Sequence, residues 1–279
     1  MDILDQEVEK IHNVFQSLTL SSSIFKSEAD YLHQQRLALD PFIFDSLKKL
    51  YSSEFKKHWN KIEIPYNSDK AIVIVERRCH PNLEFVLHNV SYFATGYTIY
   101  IFCSKANLSF IETICGSQLK NIHIYAIFEN IGTAEQGKLE YNNLLKTNTF
   151  WNVFKEEHIL TIETDCYLLK HIPESIYNYD YVASVWHWLK SEPGGGGLSY
   201  RKCSVMKRIC QIDDKSLKVI PMQDSFVSTG VKLLEGKYSH DFFTESTFTP
   251  HSIGTHQWWT FYNTNNSKEI IKYYLMLKL

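Results

Sequence analysis

No two of the six cysteines, at 79, 103, 115, 166, 203 and 210, form a Cys-x-x-Cys pair. That absence excludes zinc-ribbon spacing and a disulfide framework, and reduced thiols in a cytosolic setting are expected. No apolar run approaches the ~20 residues that span a bilayer. The start, residues 1–7, is acidic and has neither the basic nor the apolar region of a signal peptide. The Asn-x-Ser sequons at Asn89, Asn107 and Asn265 therefore carry little meaning. No Gly-x-Gly-x-x-Gly follows a strand, which argues against a dinucleotide-dependent dehydrogenase. No Gly-Lys-Ser/Thr is present either, which excludes a Walker phosphate loop. Excess charge is also missing: 29 Lys and Arg stand against 31 Asp and Glu, a formal −2, so no bulk nucleic-acid partner is expected. Repeats, low-complexity tracts and linkers are absent too.

What is present is a chain of 279 residues, 44% hydrophobic and 22% charged, enough for a sizeable core. Its 17 Tyr, 17 Phe and 6 Trp offer flat faces of the kind sugar sites use, although most such rings belong to cores. Residues 1–65 place apolar side chains at i, i+3 and i+4, in Ile3, Val8, Ile11, Val14 and Phe15 and again in Phe42, Phe44, Leu47 and Leu50. The spacing predicts a helical N-terminal extension, with helix starts at Ser27 and at Asp40-Pro41. It would pack on the core or on a partner subunit of a homo-oligomer.

From residue 66 strands and helices alternate. Strands are predicted at 71–75, 97–102, 122–127 and from His158; helices at 82–93, near 108–119 and over about 134–155. Such alternation means βαβ units, hence an α/β, Rossmann-type, mostly parallel sheet flanked by helices. After residue 170 the pattern mixes. A strand-like 179–186 precedes a flexible glycine loop at 193–197 and a strand at 198–201. Helices follow through Cys210 and over 223–235, then an aromatic, amphipathic close. Residues 66–279 are expected to form one compact unit.

Chemistry concentrates behind the strand that begins at His158. Its apolar run (Ile159, Leu160, Ile162) ends in Glu163 and Asp165, one residue apart. The carboxyl end of a buried parallel strand is where open α/β sheets hold ligands. Two carboxylates there suit a hard divalent cation that carries phosphate oxygens, though acid-x-acid triplets also recur in solvated loops. The run Gly194 to Gly197 reads as a plain hairpin or as backbone that a ligand approaches closely. Beside it, Trp186, His187 and Trp188 could stack on a pyranose. Asp224 opens a helical stretch and reads as an N-cap or as a general base. His256 reads as a core histidine or as a third metal ligand. Glu76, Arg77 and Arg78 share the sheet edge with Asp165. They form either a charged turn or contacts to a base, ribose or phosphate.

In order, these pieces resemble a family of predicted glycosyltransferases of the GT-A fold, found in bacteria, fungi and large DNA viruses. The resemblance is carried by Glu76-Arg-Arg78, Tyr141-Asn-Asn-Leu-Leu145 with Phe150-Trp151, and Glu163-Thr-Asp165. It continues in Tyr179-Asp-Tyr181 with Trp186, in Gly194-Gly-Gly-Gly-Leu-Ser-Tyr-Arg201, in Gln223-Asp224 and in Gly254-Thr-His-Gln-Trp258. It covers about residues 70–260. Departures from the family pattern are Gln223 for an acid, Gln257 for Lys, Glu163 for Gln, a glycine run without its Asn and a first motif without its Thr.

The resemblance implies a GT-A-like enzyme that moves a sugar from a nucleotide sugar, a UDP-sugar, to a hydroxyl of a glycan or other acceptor. It implies Mn2+ or Mg2+ on Asp165, with Glu163 on ribose or metal and His256 completing the metal site. Glu76, Arg77, Arg78, Tyr141 and Thr164 would surround the nucleotide. Trp186, Trp188, Gly195, Gly196, Gly197 and Gln223 would surround sugar and acceptor, in an acceptor and metal half spanning 170–265. Similarity to inverting β-galactosyl- and fringe-type transferases makes Asp224 the base. The setting would be cytoplasmic, the host's for a viral protein. Two other readings remain open. A sugar nucleotidyltransferase would need a basic glycine-rich loop after the first strand, which residues 76–80 lack. A non-catalytic carbohydrate-binding protein is encouraged by Gln223 in place of an acid.

Overall fold

The computed structural model describes residues 2–20, 27–186, 194–245, 248–260 and 267–279. β-Branched and aromatic runs form the inner strands β1 (Lys70–Val75), β2 (Thr98–Ser104), β3 (Ile122–Phe128) and β4 (His158–Ile162). With β6 (Tyr181–Ser184), β7 (Gly195–Lys202) and β8 (Tyr238–Ser239) they make one sheet in the order β3-β2-β1-β4-β7-β6-β8. β1 to β4 run parallel, whereas β7 is antiparallel to both its neighbours. From β1 the chain moves outward through β2 and β3, then returns to lay β4 on β1's other side. That reversal is a topological switch point, and it opens a crevice at the carboxyl ends of β1 and β4. A second sheet of β5 (Cys166–Leu168), β10 (Gly254–His256) and β9 (Phe243–Glu245), in that order, packs against the helix over Leu83–Phe93 and against β6 and β7.

Helices cover both faces, as the alternation predicts. One face is filled from α1 (Ile3–Leu20), α2 (Glu28–Trp59), α3 (Leu83–Phe93) and α4 (Leu108–Cys115). The other takes α5 (Ala134–Leu145), α6 (Asn148–Trp151), α7 (Cys203–Cys210), α8 (Lys215–Lys218) and α9 (Gln223–Leu233). The closing helix, α10 (Ser267–Leu275), packs on α1 and α2. Among the described residues no helix is long and apolar enough to cross a membrane.

Three expectations need correction. Asp40-Pro41 starts no helix: α2 begins after Ser27, whose hydroxyl accepts from the Asp30 amide at 3.1 Å, and Pro41 lies inside it. A proline within a helix costs ~3 kcal/mol. Burial of Leu39, Ile43, Phe44 and Leu47 on the sheet, each worth roughly 1.5–3 kcal/mol, outweighs it. The long helix over 134–155 is two, because the Thr147 hydroxyl accepts from the Phe150 amide and caps a new start.

The glycine run is the third. Gly195 to Gly197 are buried residues of β7, not a flexible loop. A Cβ on Gly195 would fall 1.9 Å from Ser184 Oγ and 2.0 Å from Glu245 Oε2. One on Gly196 would meet Gln223 Nε2 at 2.1 Å, and one on Gly197 the His256 ring at 2.6 Å. These glycines serve close approach rather than freedom of motion. Ala183 pairs with Ser199 but Ser184 with Gly195, so residues 196–198 bulge out of register with β6. Such bulges cluster beside functional sites.

Candidate functional site

At the end of β4 the Glu163 amide donates to the Gly197 carbonyl at 2.8 Å, which fixes the turn into Thr164 and Asp165. Asp165 then meets His256, from the end of β10, with Oδ1 3.4 Å from Nε2. On the far side of the ring, Glu245 Oε2 lies 3.2 Å from Nδ1. Neither contact is aligned as a hydrogen bond, so both ring nitrogens are buried without one. Gln257 Nε2 donates to the second oxygen of Asp165 at 2.5 Å. Burial pushes the Asp165 carboxyl up, but His256 and Gln257 more than offset this and hold it well below the usual carboxylate range. Burial likewise opposes a charge on His256, and the Glu245 and Asp165 carboxylates override it, so its pKa stands well above the ordinary value. Glu163, buried and beside Asp165, is pushed up to about 7, with Tyr141 and His256 pulling the other way. Cys166 Sγ completes a group of possible ligand atoms, with Asp165 and His256, that lie within 4.8 Å of one another. Burial raises that thiol well above its ordinary value, which keeps it protonated.

Residues after β1 close the crevice from the other side. Arg78 grips Glu76 through two parallel bonds of 2.8 and 2.7 Å, and the Thr164 hydroxyl donates to Glu76 at 3.1 Å. Asn107 holds this turn, accepting from Ser104 and donating to the carbonyls of Glu76 and Arg78. Arg77 turns elsewhere: it donates to the Asn130 carbonyl, pairs with Glu140 at 2.6 Å and lies over the Phe128 ring.

Asp224 arrives from the opposite helical layer. It is no N-cap, since Met222 holds that position, but it stands in the first turn of α9. It is 8% exposed. Its Oδ1 accepts from the Ser225 amide at 2.6 Å, while Oδ2 makes no hydrogen bond among the described residues. Burial raises its pKa, and Glu245 adds to the rise. Asp224 and Gln223 touch Gly196 and His256 touches Gly197, so the two faces of the sheet deliver their acids and imidazole to consecutive residues of one strand. Trp186 packs its ring on Gly194; Trp188 lies outside the described residues.

Several contributors had no role in the sequence reading. Glu245 sits in a three-residue strand with too little pattern to mark it. Arg201 is visible in the glycine motif, but only the fold buries it beside Gln223. Arg36 and Asp40 come from α2: Asp40 is pushed to about 6, by burial and then by Asp165, and Arg36 helps to hold Asp165 down.

A family model described as "Protein of unknown function (DUF5672)" matches residues 128–270. No curated protein matches the sequence. Among solved structures, the galactosyltransferase LgtC in complex with donor and acceptor sugar analogues is 11% identical, covering 72% of this chain and 95% of that one, with a TM-score of 0.47. The glycosyltransferase GlyE of Streptococcus pneumoniae TIGR4 is 8% identical, covering 73% of this chain and 63% of its own, with a TM-score of 0.45. At those values neither likeness bears on what this chain does. The family match, 143 of 279 residues, spans more than half of the sequence, and the chain therefore belongs to the DUF5672 family of proteins of unknown function.

Proposed function

We propose that this protein is a metal-dependent glycosyltransferase with a GT-A-like fold. It moves a sugar from a nucleotide sugar, by resemblance a UDP-sugar, to a hydroxyl of a glycan or other acceptor, with inversion. Residues 66–279 form the catalytic unit in this reading, with 1–65 as its helical extension. The observation that carries the reading is the meeting of Asp165, His256 and Glu245 at the switch point between β1 and β4, with Asp224 one glycine away.

The donors fit a hard divalent cation. His256 Nε2 is buried without a hydrogen bond, 3.4 Å from Oδ1 of the half-buried Asp165. Two neighbouring ligands about 2.1 Å from one ion are roughly 3 Å apart. Glu245 at Nδ1 is the outer carboxylate that metal-binding histidines use to fix their tautomer. Imidazole and carboxylate suit Mn2+, and the protonated Cys166 offers no thiolate for a softer ion. Asp165 and His256 would hold the cation, with Glu163 close by. When bound, it supplies Lewis-acid stabilisation of the charge on the departing diphosphate, worth several kcal/mol.

The chain's own groups do the rest. Glu76, clamped by Arg78 and Thr164, and Tyr141 beside Glu163 border the nucleotide. Gly195 to Gly197 let the sugar approach backbone. Asp224 Oδ2 accepts the proton of the acceptor hydroxyl, a contribution of ~10²–10⁴-fold. A panel of nucleotide sugars offered with Mn2+ tests this. Release of UDP by the wild type, and its loss in Asp165→Ala, is the expected result. Pyrophosphate release would mark a nucleotidyltransferase, and sugar binding without either product a lectin.

A further inference from the structure

A charge in the core makes no ion pair among the described residues. Arg201, on β7, is 0% exposed. Its Nε donates to Ser199 Oγ at 2.9 Å and its Nη2 to Gln223 Oε1 at 2.5 Å. Nη1 is buried without a hydrogen-bond partner. The rings of Trp151 and Tyr181 flank the guanidinium at 5.9 and 5.8 Å, and no carboxylate pairs with it among the described residues. An unpaired buried cation opposes folding, so its presence calls for a reason. Position 223 supplies half of one: the side chain that accepts from the guanidinium there is the neutral amide of Gln223.

Gln223 is itself tied down. Its backbone N–H donates to Asn142 Oδ1 on α5 at 2.7 Å, and its side chain lies against Gly196. The next residue is Asp224. We propose that Arg201 is a positioning residue for Asp224. Through Gln223 its guanidinium fixes the first turn of α9 against the glycine segment, and its unpaired charge is the counter-charge that keeps the Asp224 carboxylate ready to take a proton. The catalytic part of this inference rests on Asp224 being the base; the electrostatic part does not.

The groups around Asp224 are few. Burial and Glu245 from β9 oppose its ionisation; Arg201 and the Ser225 amide favour it, and the neighbouring Tyr181 hydroxyl from β6 is kept protonated by burial. α5 presents the neutral Asn142, and α7 presents Cys210, whose thiol feels Arg201. Arg201 is the cation that favours the Asp224 carboxylate most, while Lys146 at the end of α5 is spent on the carbonyls of Ile220 and Pro221.

The test is a carbon-13 NMR titration of the Asp224 carboxylate in the full chain, assigned with Asp224→Asn, alongside the pH profile of transfer. Arg201→Gln removes the charge and should raise the Asp224 midpoint by about one pH unit. The acid limb of kcat/KM should move up with it, while Arg201→Lys leaves the midpoint near the wild-type value. An unmoved midpoint in folded Arg201→Gln overturns the proposal. Should that variant not fold, Gln223→Glu decides. It raises Tm if it gives a lone guanidinium its partner, and lowers Tm if Arg201 is already neutralised. A midpoint moved in Arg201→Gln, with a wild type that transfers no sugar, would sink the enzyme reading and leave the positioning role intact. Transfer with an unmoved midpoint does the reverse.

Discussion

His256 shows how much one residue depends on its neighbours. Alone on a β-strand an imidazole is an ordinary core group; between Glu245 and Asp165 it becomes the centre of a buried charged cluster, the one proposed to hold a cation. Gly197 makes room for it, since a Cβ there would sit 2.6 Å from two ring atoms. Gly197→Ala is therefore expected to push the ring off Asp165 and weaken Mn2+ binding at least ~10-fold, by the usual cost of disturbing a ligand's support. Titration of the variant with Mn2+ checks this, and wild-type affinity would mean the ring is no ligand. Asp165 and His256 were legible in the sequence because their residue types and flanking strands are informative. Glu245 was not, because a carboxylate that supports a histidine across a three-residue strand leaves no spacing to read. Asn107 shows only a sequon in the sequence, whereas the fold buries it and uses it to hold the Glu76 turn.

Among the elements, α2 and β7 carry the lesson about local signals. Pro41 and the four glycines are strong punctuation in a sequence, and tertiary packing overrode both. Phe44, three residues past the proline, meets Phe85, Tyr167 and Trp259 edge-on, with centroids 5.9–6.1 Å away. Phe44→Ala should cost ~3–5 kcal/mol in urea unfolding, as for any large ring deleted from a closed core. A loss below ~1 kcal/mol would mean that α2 is only draped on the sheet. By contrast, β1 to β4 were readable almost to the residue, since buried parallel strands are continuous apolar runs. α5 and α6 were not separable by periodicity, because Thr147 breaks the helix by a side-chain cap rather than by a change of pattern.

At the scale of the whole molecule, the switch point between β1 and β4 organises both halves. The parallel half brings Glu76, Glu163 and Asp165, and the later, mixed half brings Asp224, Glu245 and His256. The pH dependence of stability is expected to follow a buried group on α3. His88 on α3 is 4% exposed, its ring tilted against that of Trp59, and burial, aided by Lys56, depresses its pKa to about 4. A histidine depressed in the fold takes its proton first in the unfolded chain. Stability is then complete above the unfolded pKa near 6.5 and falls as pH drops toward 4, by about 3 kcal/mol. His88→Phe keeps the ring and should flatten that slope in denaturant titrations between pH 6.5 and 4. An equally steep slope would place the loss elsewhere.

On the proposed function, distant parts of the chain build one cation site for a nucleotide sugar. Electron paramagnetic resonance of Mn2+ with and without UDP, in wild type, Asp165→Ala and His256→Ala, tests it most directly. One tight site that UDP strengthens, lost in both variants, is the predicted result. Equal Mn2+ binding in all three proteins would contradict it.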